Sequence, residues 1–137
     1  MENWIIPCSV KFYNVVEHLN QQDTIVWRKV SALKMGDIAY LYLGAPYSQI
    51  KYVCHVINDN VDEETLALNE YAIKKNGSSR KFKYLMLKLD YTYPNGELSL
   101  NKLREHGLGQ TQIQARTDRQ LQRFIDQVNN KLGVTIE

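Results

Sequence analysis

Two segments of this chain, Ile38 to Leu43 and Ile50 to Ile57, carry apolar residues at positions that point to both faces of a strand. A strand of that kind has no face to offer to water and needs cover on two sides. A barrel wall meets this requirement, with the barrel's own core inside and a helix outside. Gly36-Asp37 ahead of the first segment reads as a turn that launches it. Gly44-Ala45-Pro46-Tyr47-Ser48 connects it to the second. Trp27 stands before the pair in a short polar, loop-like stretch, Ile25 to Lys29. A Trp before a strand pair, with a Tyr and a Ser in the connecting loop, suits a small aromatic pocket at a barrel mouth.

The remaining pattern is mixed. Trp4 to Pro7 reads as a short apolar strand. Phe12, Val15, Val16 and Leu19 mark one face of a short helix, with Ser9 in place to cap it. Leu66 to Ile73 fits a strand or a short helix equally. Phe82 to Tyr91 is the longest strand candidate, with Leu85, Leu87 and Leu89 on one face and Phe82, Tyr84 and Met86 on the other. Pro94-Asn95-Gly96 is a turn signal. Ser99 can cap a helix containing Leu100 and Leu103 that Gly107 stops. Thr117-Asp118-Arg119-Gln120 fits a capping box, and Leu121, Phe124, Ile125, Val128 and Leu132 continue an amphipathic stripe suited to packing over the barrel. These elements predict one α+β domain over 1–137: a small, partly open β-barrel with peripheral helices.

At 137 residues the chain is long enough to bury a core without staples. No apolar run approaches the roughly 18 residues of a membrane span. Met-Glu-Asn-Trp at the start lacks the positive and apolar regions of a signal peptide, so a cytoplasmic location is expected. Cys8 and Cys54 lie in apolar segments and read as buried free thiols. The formal net charge of +2 identifies no partner, but its distribution is uneven. Asp59, Asp62, Glu63, Glu64 and Glu70 form an acidic run, and Lys74, Lys75, Arg80, Lys81 and Lys83 a basic one. The basic run suits phosphates, and equally a solvated hairpin.

Catalytic signals are sparse. His18, His55 and His106 fall in different elements, and no HxxxH, CxxC or paired-carboxylate spacing occurs. Cys8 and His55 could form a nucleophilic pair only if folding joins them, and a core Cys8 is the commoner outcome. The sequence lacks GxGxxG and GxxxxGK[ST], so no nucleotide cofactor is expected. The reading is a binding module, not an enzyme, with no cofactor and no metal.

Trp4-Ile5-Ile6-Pro7-Cys8-Ser9, the isolated Trp27, Gly36-Asp37-Ile38-Ala39-Tyr40-Leu41-Tyr42, Pro46-Tyr47-Ser48-Gln49-Ile50, Tyr84 to Leu89, and Leu98 to Leu108 together resemble an EVE domain. That family belongs to the PUA-like superfamily and is related to the YTH readers of methylated adenine. The version resembled precedes an HNH nuclease in bacterial modification-dependent restriction enzymes. The resemblance implies a PUA-like barrel that holds one flipped, modified base, with modified cytosine in DNA preferred, and a nuclease domain or partner for any cleavage. It further implies Trp27 as the principal cage wall and Ser9 at the base edge. Tyr47 and Ser48 would stand at the mouth, Phe82 or Tyr84 would be the second wall, and Tyr42 is a weaker candidate. Lys29, Arg80, Lys81, Lys83 and Arg116 would hold flanking phosphates. Unmodified or N6-methyladenine RNA, and a small ligand or protein partner, are the other classes these residues leave open.

Overall fold

The structure is a computed structural model and describes residues 1–11, 14–29, 32–62 and 83–136. In chain order the elements are β1 (Asn3–Cys8), α1 (Val15–Gln21), β2 (Thr24–Lys29), β3 (Ile38–Leu43), β4 (Gln49–Asn58), β5 (Lys83–Thr92), α2 (Leu100–Glu105), β6 (Ala115–Arg116) and α3 (Arg119–Leu132). The six strands form one sheet in the order β2-β5-β4-β3-β1-β6. β1 and β3 run parallel, joined through α1 and β2, and every other pairing is antiparallel.

The doubly apolar strands do have cover on both sides. Ala39, Leu41 and Leu43 point into one core with Ile6, Trp27, Tyr52, Leu85 and Leu87. Ile38, Tyr40 and Tyr42 point the other way, into a second core with Tyr93, Leu103, Leu121, Ile125 and Val128. The first is the inside of the curled sheet, closed by Val15 and Leu19 of α1, and the second lies beneath α2 and α3. In β5 the alternation falls as its residues predict: Leu85, Leu87 and Leu89 face the inner core, while Tyr84 and Met86 pack outside with Val26 and Val61.

The curl brings the two sheet edges together. Gln114, just ahead of β6, donates its side-chain N–H to the Arg28 carbonyl of β2 at 3.0 Å. The result is an open sheet rolled into an incomplete barrel. Its other end is held by Asp37, which is 1% exposed. Asp37 accepts from the Glu2 N–H (3.0 Å), the Trp4 indole N–H (3.1 Å) and the Lys34 N–H (3.1 Å), tying β1 to the turn before β3.

Three local expectations shift. Trp27 lies in a strand, because Thr-Ile-Val-Trp is β-branched and aromatic and outweighs the polar Arg28-Lys29 that follows. The cap of α1 is Asn14, whose carboxamide oxygen accepts from the Glu17 N–H at 3.2 Å, and not Ser9. The cap of α3 is Asp118, one residue beyond Thr117, accepting from the Leu121 N–H at 2.8 Å. Ser99 does cap α2. Leu66 to Ile73 and Phe82 lie outside the described residues.

Candidate ligand cleft beyond the parallel strands

Parallel neighbours end side by side, so the chain must leave β1 and β3 at the same place. Cys8 and Leu43 are register partners at those ends. The two departing segments diverge and leave a cleft of about 680 Å³ between them. Pro7, Cys8, Ser9, Val10 and Lys11 form one side, and Tyr42, Gly44 and Ala45 another. Thr111 and Gln112 of the loop before β6 supply the third.

Main-chain hydrogen bonds set the shape. The Gly44 N–H donates to the Cys8 carbonyl at 3.1 Å, pinning the second segment to the end of β1. Ala45–Pro46 is a cis peptide, and the Tyr47 N–H returns to the Gly44 carbonyl at 3.1 Å. Ser48 then adopts φ 48°, and its carbonyl accepts from the Leu100 N–H of α2 at 2.9 Å. On the third side, Gln110 Oε1 accepts from the Gln112 and Ile113 N–H groups at 3.0 and 3.3 Å, so the side chain of one loop residue shapes the whole turn. That turn begins at Gly107, where φ 105° is a conformation L side chains rarely adopt.

Chemically the cleft offers an ammonium (Lys11), two hydroxyls (Ser9, Thr111) and a carboxamide (Gln112), while Cys8 and Tyr42 border it with their side chains packed into the first and second cores. Ser9 and Lys11 are exposed and Tyr42 is buried. Behind it, burial pushes the Tyr52 phenol up to about 12, with Tyr47, Cys54 and Cys8 adding to the rise. Burial, with a smaller effect from Asp90, drives the Cys54 thiol far above its ordinary value. Both groups therefore stay protonated near neutral pH.

Of the residues assigned to a base pocket, Ser9 and Tyr42 meet at this cleft. Tyr47 (41% exposed) and Ser48 sit in the adjoining 44–48 loop. Trp27 and Tyr84 do not line it, and they cannot be two walls of one cage. Trp27 pairs with Leu85 and shares its inner core, whereas Tyr84 pairs with Arg28 and points to the opposite face. The period-2 alternation of a strand pair enforces that separation. Lys29 and Lys83 face each other across β2 and β5, away from the cleft lining. Arg116 is exposed, with its guanidinium over the Trp4 ring at 5.2 Å. Arg80 and Lys81 lie outside the described residues. Lys11, Thr111 and Gln112 escaped the sequence reading. The polar Gly-Gln-Thr-Gln stretch at 109–112 was the one signal, and it does not reveal that a two-residue strand carries it to the end of β1.

No family model matches the chain, and no curated protein matches it. Solved structures do. A hypothetical protein from Leishmania major superposes with a TM-score of 0.67 at 14% identity, over 97% of each chain. A structure from Pseudomonas putida gives 0.65 at 12% identity, covering 92% of this chain and 98% of its own. A mutant of the ASCH protein of Zymomonas mobilis gives 0.61 at 13% identity, covering 93% and 96%. At these identities the likeness is one of fold. The chain has the mixed α+β architecture of the ASCH structures, and none of these matches shows the EVE family that the sequence resembles.

Proposed function

We propose that this chain is a non-catalytic module that holds one nucleotide of a nucleic acid in the cleft beyond β1 and β3. The observation that carries the reading is the composition of the cleft. It combines a cation for phosphate with hydroxyl and carboxamide groups for a base edge, within a volume inside the roughly 300–1,000 Å³ of ligand pockets. The PUA-like fold and the EVE resemblance support the same class.

The finer reading is that the base is modified, with 5-methyl- or 5-hydroxymethylcytosine in DNA preferred, and that Ser9 meets its edge. It rests on the EVE resemblance. A buried methyl carbon is worth under about 1 kcal/mol, so discrimination would also require hydrogen bonds that an unmodified base leaves unpaired. Single-stranded RNA is the second reading, favoured by the fold.

The test is binding of matched oligonucleotides, DNA and RNA, carrying cytosine, 5-methylcytosine, 5-hydroxymethylcytosine, adenine or N6-methyladenine. Salt-dependent affinity that Lys11→Ala weakens supports the module. Equal affinity across all bases removes the modified-base reading alone, and no salt-sensitive binding to any member removes both. Preference for RNA over matched DNA would point to 2′-hydroxyl recognition.

A further inference from the structure

A second cavity, of about 280 Å³, opens between β3 and α3, lined in part by Asn3, Ile38, Tyr40, Gln122, Asp126 and Asn129. It shares no lining residue with the cleft. A water takes about 30 Å³ of liquid volume, so the space suits a small molecule as well as solvent. Tyr40 is 1% exposed, and its hydroxyl meets Gln122 and Asn129, both lining the cavity.

Tyr40 Oη accepts from Gln122 Nε2 and from Asn129 Nδ2, each at 3.5 Å. Asn129 Oδ1 accepts the Tyr93 hydroxyl. Gln122 Oε1 accepts from Thr117 Oγ1 at 2.8 Å, and Gln122 Nε2 also donates to Asp126 Oδ1 at 2.8 Å. Turning the Gln122 amide over would set its oxygen against the Asp126 carboxylate. Turning the Asn129 amide over would leave the Tyr93 proton without its acceptor, and Tyr93 is fully buried. The orientations are therefore fixed, and every bond at Tyr40 Oη among the described residues points inward. Among the described residues no acceptor is left for its own proton, which is free to point into the cavity. Burial raises the Tyr40 phenol above its ordinary value despite the two amide donors, so the proton is present at neutral pH.

We propose that this cavity binds a small neutral molecule with an amide-type edge, its carbonyl taking the Tyr40 proton and its N–H meeting the Asp126 carboxylate. Ile38 and Ile136 supply the apolar sides. The experiment titrates the whole protein with N-methylacetamide and follows the Gln122 and Asn129 side-chain amides by NMR. Saturable shifts are expected, with affinity weakened about fivefold to tenfold in Tyr40→Phe, which removes one oxygen. Absent shifts, or equal affinity in Tyr40→Phe, overturn the proposal. If Tyr40→Phe does not fold, Asp126→Ala at an exposed position takes its place, and unchanged affinity there is equally fatal.

Discussion

Gln114 reaches across the open seam of the barrel to the Arg28 main-chain carbonyl, 86 residues away in sequence, and joins the two edges of the sheet with a hydrogen bond from its side chain. The same loop supplies Thr111 and Gln112 to the candidate cleft. The seam and the cleft wall are thus mechanically one piece. Gln114→Ala should lower stability by about 1 kcal/mol, the usual net worth of such a bond. It should also speed amide hydrogen exchange over 110–116 relative to β3. Unchanged exchange there would show that the loop is held by other contacts.

Trp27→Ala should act on the fold before it acts on any ligand. The ring is 5% exposed among Leu85, Leu87 and Tyr52, so truncation leaves a core void costing about 3–5 kcal/mol. Urea denaturation measures this directly. A variant of near-native stability would mean that the ring is held loosely enough to serve a pocket.

Asp37 links stability to pH. Burial alone would raise its pKa, but the bonds from Glu2, Lys34 and Trp4 outweigh it, and the carboxyl lies below its ordinary 3.8. A carboxyl lowered on folding stabilises above its unfolded pKa, and that contribution is lost as pH falls through the folded value. Asp37→Asn should therefore cost about 1–3 kcal/mol at pH 7, through mismatched donors. The gap to the unsubstituted protein should narrow below 3.8. Denaturation midpoints of both proteins between pH 7 and acid give the answer, and a gap independent of pH would count against the ionised network.

Ser48 at φ 48° occupies backbone space that favours glycine. Ser48→Gly should be more stable than Ser48→Ala by about 1 kcal/mol, since alanine keeps the left-handed penalty. Thermal melts of the pair decide it. Equal melting temperatures would mean that the loop relaxes when the hydroxyl is removed.

Periodic segments were legible in the sequence, and the site was much less so. Leu85, Leu87 and Leu89 against Tyr84 and Met86 announced a strand with two packed faces, and Ser99 announced its helix. Trp27 was misread because Arg28 and Lys29 make the end of an edge strand look like a loop. Ser9, which follows β1, and Tyr42, near the end of β3, border the cleft because both lie where the parallel strands end. Lys11, Thr111 and Gln112 were not legible, because the cleft depends on the parallel pairing of β1 with β3 and on β6, and two residues carry no period. The cage of Trp27 with Tyr84 failed on register, which neighbouring residues cannot reveal.

The position of β1 also matters to a chain still being made. One of its neighbours, β3, follows within 40 residues, but the other, β6, comes only at residues 115–116. Until then a hydrophobic strand keeps an unpaired edge on a growing polypeptide, the condition under which nascent chains pair with one another. Ala115→Pro, which removes a donor from that late pairing, is expected to reduce soluble yield during synthesis more than it reduces the melting temperature of the protein that survives. A loss confined to melting temperature would place its effect after folding instead.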